Sequence, residues 1–165
     1  MQNFVNLTPA ESEMVRKWRN YDEIRKLMYS ERKISRKEHM DFMAGLRNNR
    51  SSLYWLVRKH MGEYIGVIYL KGINYINRNS YLGIYTNPYS KLPGKGKMLM
   101  RCLRYAAFKN NNLHTIKLEV IKTNQRAVRF YIKEGFKIEG ELKGFVRKKG
   151  KWGNVIVMGL VNHKS

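Results

Sequence analysis

The sequence predicts a mixed α/β domain. Three observations lead there: two capping-box spacings ahead of helical apolar patterns in the first third, a switch to alternating apolar residues near position 53, and a later half in which helical and β-branched stretches take turns. At 165 residues with 43% apolar side chains, the chain can bury one real core and is too short for two comfortable ones, so a single domain over 1–165 is expected.

The elements follow in order. Thr8-Pro9-Ala10-Glu11 starts a helix: Thr8 caps, Pro9 suits the first helical position, and Glu11 reaches back. That helix should end near Trp18-Arg19-Asn20. Tyr21 to Lys33 reads as short helix and loop. Ser35-Arg36-Lys37-Glu38 repeats the capping spacing ahead of a helix with His39, Phe42, Met43 and Leu46 on one face. Residues 53–59 and 64–71 read as two strands around the turn His60-Met61-Gly62-Glu63. A third strand, 80–86, stops at Asn87-Pro88. The spacing then predicts a helix over 96–111, a β-branched strand over 115–121, and a helix over 125–134 closed by Gly135 in the left-handed cap position. Two strands, 136–146 and 152–160, flank the turn Lys148-Lys149-Gly150.

No apolar run is long enough to cross a bilayer, and Met1 to Glu13 lacks a basic stretch followed by an apolar one, so a cytoplasmic protein without a membrane partner is expected. Cys102 is the only cysteine. It falls among Leu99, Leu103 and Ala106 and reads as a small core residue. The net charge of +21, from 33 basic and 12 acidic residues, is spread along the chain. Such an excess captures anions: nucleic acid, anionic membrane or phosphorylated small molecules. No His/Cys/carboxylate cluster has metal-ligand spacing, so no metal is expected.

Two segments carry chemistry. In "SKLPGKGKMLM", residues 90–100, a strand runs through a turn into a helix. The first N–H groups of a helix lack internal partners and, with the helix dipole, hold anions. Gly94 and Gly96 allow close backbone approach, and Lys91, Lys95 and Lys97 add charge. On spacing alone an ordinary basic turn is an equal reading. The Walker and dinucleotide patterns do not fit. The second segment, "TNQRAVRFYIKEGF" at 123–136, follows one strand and precedes another.

The second segment resembles the GNAT superfamily of N-acetyltransferases: Asn, two residues, Ala, an aliphatic, an aromatic-Tyr pair and Gly-Phe. Lys91-Leu92-Pro93-Gly94-Lys95-Gly96 is similar to the same family's acetyl-CoA motif, [QR]-x-x-G-x-[GA], with Lys in place of Gln or Arg and no glycine at position 92. The resemblance implies a mixed, mostly antiparallel central sheet flanked by helices, with acetyl-CoA as co-substrate and direct attack by an amine. It implies that the strands carrying Tyr85-Thr86 and Glu119 splay apart around pantetheine. It makes Tyr131 the acid that protonates the thiolate, Asn124 a pantetheine contact, and Tyr131 a cofactor contact as well.

Further segments, "WRNYDEIRKLMYS", "ISRKEHMDFM", "YLGIYTNP" and "IEGELKGF", resemble the acetyltransferase branch of pseudaminic acid biosynthesis. That likeness implies a UDP-linked 4-amino-4,6-dideoxy sugar as acceptor. Arg19, His39 and Lys71 would face its nucleotide, and Met28, Tyr29, Phe42 and Tyr81 would enclose the 6-methyl. Tyr85 would line the cleft and Glu119 would take the amine proton through a water; a carboxylate in the apolar run Leu118-Glu119-Val120 is costly to bury unless it has partners or work to do. It leaves room for a homodimer. Two other classes stay in view. One is a GNAT branch that acetylates protein N-termini or polyamines, against which the charge argues, because those substrates are cationic. The other is a basic nucleic-acid module, for which no RNP- or KH-type motif is present.

Overall fold

The computed structural model describes residues 1–59 and 62–163. Its centre is one seven-stranded sheet in the order β1-β2-β3-β4-β5-β7-β6. The strands are β1 (Gln2–Asn3), β2 (Ser52–Arg58), β3 (Tyr64–Asn74), β4 (Asn79–Thr86), β5 (Thr115–Ile121), β6 (Lys137–Lys148) and β7 (Lys151–Val161). All pairs are antiparallel except β4 with β5. The expected fold class is the observed one.

Both capping boxes form. Thr8 Oγ accepts from the Glu11 N–H while Glu11 accepts from the Thr8 N–H, starting α1 (Pro9–Arg19). Ser35 and Glu38 do the same for α3 (Arg36–Leu46). Between them lies the short α2 (Asp22–Arg25). Val15 and Trp18 of α1, Leu46 of α3 and Phe4 of the 3-10 turn Phe4–Asn6 cover one face of the sheet, on Leu56 and Val67. The opposite face carries the larger core. There Ile68, Leu70, Leu82, Leu118 and Met158 meet Leu99, Met100 and Leu103 of α4 (Lys95–Arg104) and Val128 of α5 (Gln125–Lys133). Cys102 packs against this core and burial raises its thiol pKa.

Three details differ from the sequence expectation. Strand β1 is two residues long, too short for any periodicity. The helix predicted over 96–111 starts at Lys95, is α-helical to Arg104 and widens into a π-turn over Tyr105–Asn110; the Asn111 N–H reaches back five residues to Ala106. The wider turn lets two adjacent residues, Ala106 and Ala107, both face the core. Strand β6 runs on to Lys148 and β7 begins at Lys151, so the closing hairpin is tighter than expected. Lys149 and Gly150 turn it with φ of 48° and 80°. Of the expected turn between β2 and β3, His60 and Met61 lie outside the described residues.

Candidate active site

The parallel seam opens the site. Strands β4 and β5 are paired only at Asn79↔Thr115, Ser80↔Ile116 and Tyr81↔Lys117. Beyond Tyr81 the ladder stops, while β4 stays paired to β3 as far as Thr86 and β5 to β7 as far as Ile121. The gap therefore exposes unpaired backbone on both walls, where an extended amide-bearing chain can find hydrogen-bond partners.

At the open end of the gap, Gly94 caps α4 with φ 71°, a left-handed conformation open to glycine without steric cost. The first N–H groups of α4 face this mouth. Gly96 is glycine for a different reason: a Cβ there would lie 3.2 Å from the Phe130 ring of α5. Pro93 and Lys97 are exposed on either side of this turn, as is Lys91. Leu92 packs on the core and its N–H donates to Ser90 Oγ, 3.2 Å away. The ammonium of Lys95, expected to add charge for a phosphate, donates instead to the carbonyls of Asn87, at 2.9 Å, and Ser90. It stitches the loop, leaving Lys91 and Lys97 as the exposed cations.

On the far wall Asn124 caps α5, its Oδ1 accepting from the Ala127 N–H at 3.2 Å. Its NH₂ group remains a donor. Tyr131 follows on α5, edge-on to Phe130 and Phe136 with centroids 5.3 and 5.5 Å away. Burial raises its pKa, with Tyr69 adding to the effect. A raised pKa keeps the phenol protonated through any ordinary working range.

Tyr69 is the residue that sequence reasoning missed. It sits opposite Gly83 in the β3–β4 ladder, and its ring lies across Gly83 so closely that a Cβ there would come 1.9 Å from its Cζ. Tyr69 stacks on Tyr54 at 4.9 Å, and Tyr54 meets Phe42 edge-on at 5.1 Å. Its hydroxyl is within electrostatic reach of Tyr29, Tyr85, Tyr131 and Arg19. The available signal was Gly83 itself, since an isolated glycine inside a strand marks the close approach of another group. Gly83→Ala is expected to force Tyr69 aside, destabilising the fold by about 1–3 kcal/mol and lowering turnover. Gly140→Ala, where an added Cβ meets nothing within 4 Å, should stay within about 0.5 kcal/mol. Denaturant midpoints of the two variants check this.

Glu119 stands on β5 opposite Val157, at the start of the gap. The expected cost of burying it does not arise. Leu118 and Val120 face the core, and alternation turns Glu119 to the open side, where it is exposed. It accepts a hydrogen bond of 2.5 Å from Tyr29 Oη. Burial, reinforced by that carboxylate, raises the Tyr29 pKa. Tyr29 lies edge-on to Phe145 of β6 at 6.1 Å, and Lys148 of the same strand ties the loop down through the Lys26 carbonyl and Glu31. Met28 is half-buried beside Tyr29, and Tyr81 is exposed at the mouth, across the ladder from Lys71.

Arg19 comes off the end of α1 beside Tyr69 and Tyr85. Burial lowers its pKa, and its Nη1 is buried with no hydrogen-bond partner. Tyr85 packs beside it, partly buried, with its own pKa raised by burial. Thr86 ends β4 at the open side of the gap. His39 sits away from this cluster. It is buried between α3 and α1, its Nε2 3.1 Å from Ser12 Oγ, and burial lowers its pKa. The structure thus brings Arg19, Tyr29, Tyr69, Tyr81, Tyr85, Glu119 and Tyr131 around one gap and leaves His39 holding two helices together. Among the described residues, no group of three or more His, Cys, Asp or Glu could hold a metal ion, and no helix is long and apolar enough to cross a membrane.

Comparison with known proteins fits this geometry. The family model described as an acetyltransferase (GNAT) domain matches residues 5–157. The acetyltransferase PseH of Campylobacter jejuni is 33% identical over 145 residues, 88% of each chain. The crystal structure of Campylobacter jejuni N-acetyltransferase PseH in complex with acetyl coenzyme A superposes with a TM-score of 0.74 at 27% identity, covering 98% of this chain and 96% of that one. A spermidine N-acetyltransferase from Vibrio cholerae, in complex with CoA and spermine, shares the fold with a TM-score of 0.87 at 24% identity, covering 94% and 92%.

Proposed function

Because the chain belongs to the GNAT acetyltransferase family, whose members draw the acetyl group from acetyl-CoA, we propose that it passes that group to the 4-amino group of a UDP-linked 4-amino-4,6-dideoxy sugar. This is a cytoplasmic step of pseudaminic acid biosynthesis, serving flagellin or surface-glycan modification. The amine attacks the thioester carbonyl in a ternary complex. Glu119 takes the amine proton through a water, the C–S bond breaks, and the leaving thiolate takes the proton of Tyr131. Gly94, Gly96 and the start of α4 hold the pyrophosphate, with Lys91 and Lys97 beside them. The NH₂ of Asn124 and the open edges of β4 and β5 hold pantetheine.

The observation that carries the acceptor class is the charge of the cleft. Arg19 offers it a guanidinium whose buried Nη1 has no hydrogen-bond partner, and Glu119 is the one carboxylate in the residue cluster. Glu13, Asp22, Glu31, Glu38, Asp41, Glu134, Glu139 and Glu141 are each tied to a Lys or Arg. A polyamine needs several free carboxylates to replace its water. A sugar nucleotide needs cations at one end, supplied by Arg19 and Lys71, and an apolar wall at the other. Met28, Phe42, Tyr81 and the ring of Tyr29 form that wall.

A 6-deoxy acceptor buries a methyl there, worth about 0.8 kcal/mol, while a 6-hydroxyl lacks a partner at a cost of about 1–3 kcal/mol. Relative turnover of a UDP-4-amino-4,6-dideoxy sugar should therefore exceed that of its 6-hydroxy analogue roughly tenfold or more. The same amino sugar without UDP, and spermidine, should both be poor acceptors. Faster turnover of spermidine would move the chain to the polyamine branch. Equal rates for the deoxy and hydroxy sugars would remove the methyl pocket alone.

A further inference from the structure

A second cavity of about 460 Å³ opens where the end of α3 meets the starts of β1 and β2. Its walls include Arg47, Arg50, Asn3, Asn49 and the rings of Tyr54 and Tyr75. Its chemistry is one-sided. None of its lining residues is acidic, and among the described residues neither arginine forms an ion pair. Both asparagines have already used their side-chain oxygens. Asn3 Oδ1 accepts from the Val5 N–H at 3.1 Å, and Asn49 Oδ1 accepts from the Ser51 N–H and Oγ, each at 2.9 Å. Their NH₂ groups are left as donors. The Tyr75 hydroxyl donates to the Arg50 carbonyl at 3.1 Å, which fixes an exposed ring beside that arginine. The cavity therefore offers two guanidiniums, two amide donors and an aromatic face, with no charged acceptor. Its complement is anionic, rich in acceptor oxygens, and flat at one end.

This cavity is joined to the gap by a row of side chains across the sheet. Ser52, on its wall, pairs with Lys71; Lys71 pairs with Tyr81; Tyr81 stands at the mouth of the splay. Two strand spacings make this about 10 Å, and the exposed ammonium of Lys71 lies midway. We infer that the cavity is the subsite for the nucleoside diphosphate of the acceptor: Arg47, Arg50 and Lys71 on the phosphates, the amides of Asn3 and Asn49 on the carbonyls of a pyrimidine-dione base, and Tyr75 against its face. The inference rests on the sugar-nucleotide reading above and adds to it a place and five further residues.

The test uses the full chain and UDP itself as the probe, titrated calorimetrically at fixed salt. The variants are R47A/R50A and a control, K109A/K133A, that removes the same charge from exposed positions elsewhere. UDP affinity should fall roughly tenfold or more in R47A/R50A, as for lost charge-assisted hydrogen bonds, and stay at the wild-type value in the control. Affinity for acetyl-CoA should be unchanged in both, which also reports that the arginine variant is folded. With a UDP-amino sugar, R47A/R50A should raise KM and keep kcat. If wild type acetylates that sugar and binds UDP but R47A/R50A binds UDP equally well, the cavity is not the subsite, and the acceptor reading stands. An equal loss in K109A/K133A would reduce the effect to overall charge and overturn the inference. If wild type neither binds UDP nor acetylates a UDP-amino sugar, the acceptor reading fails and takes the subsite with it.

Discussion

Tyr131→Phe is expected to lower turnover by about 10²–10⁴-fold while acetyl-CoA affinity stays near wild type. The substitution removes one oxygen and keeps the ring between Phe130 and Phe136, so the core that positions α5 is not disturbed. On the proposed mechanism, what is lost is the proton for the departing sulfur. Burial raises the phenol above its ordinary pKa, which makes it a weaker acid, but the same dry surroundings disfavour the thiolate anion and so favour the transfer. The expected loss corresponds to about 3–5 kcal/mol at the barrier. Steady-state release of free thiol measures the rate, and calorimetry measures the coenzyme affinity. A variant that keeps wild-type turnover would show that the thiolate leaves unprotonated or takes its proton from another hydroxyl, with Tyr69 the nearest candidate.

Glu119→Gln is expected to cost roughly 10²–10³-fold at neutral pH, within the usual range for a lost general base. The amide keeps the shape and can still accept from Tyr29. It cannot accept a proton. In wild type, kcat/KM should fall on the acid side as the amine becomes protonated. In the variant no carboxylate is there to take the amine proton, so the deficit should narrow as pH rises and more of the amine arrives already neutral. A pH profile of kcat/KM for both proteins measures this. Equal rates and parallel profiles would reduce Glu119 to an exposed strand carboxylate whose only work is to hold Tyr29.

The sequence was most legible where one residue type has one physical use. Thr8 with Glu11 and Ser35 with Glu38 could be read as helix starts because a short acceptor and a carboxylate three residues later satisfy two backbone donors, and both pairs do so. Gly135, with φ 82°, closes α5 for a similarly local reason. The 115–121 strand was readable to the residue because its β-branched run is bounded by polar loops. What escaped depends on partners distant in sequence. Tyr69 looked like one more aromatic in a strand, and its place is set by the absence of a side chain at Gly83. Lys95 belonged to a basic cluster in sequence, yet its ammonium is spent on two loop carbonyls. The exposure of Glu119 follows from which face of β5 the helices leave uncovered. Arg47 and Arg50 carry no signal in the sequence because nothing local ties them to Asn3 or Tyr75, which line the same cavity from distant positions in the chain.

The seam between β4 and β5 has a consequence for the protein between turnovers. The sheet is two antiparallel blocks, one of hairpin-linked strands before α4 and one after it, and three parallel pairs fasten them to each other. Parallel pairing is the weaker kind per residue. A coenzyme arm held in the opening, as proposed above, would touch both blocks at once and supply the ladder that the chain omits. Binding of this kind adds to the free energy of folding by mass action. On that reading acetyl-CoA would be a rivet as well as a reagent, and its concentration would set how firmly the two blocks of the resting enzyme are held together.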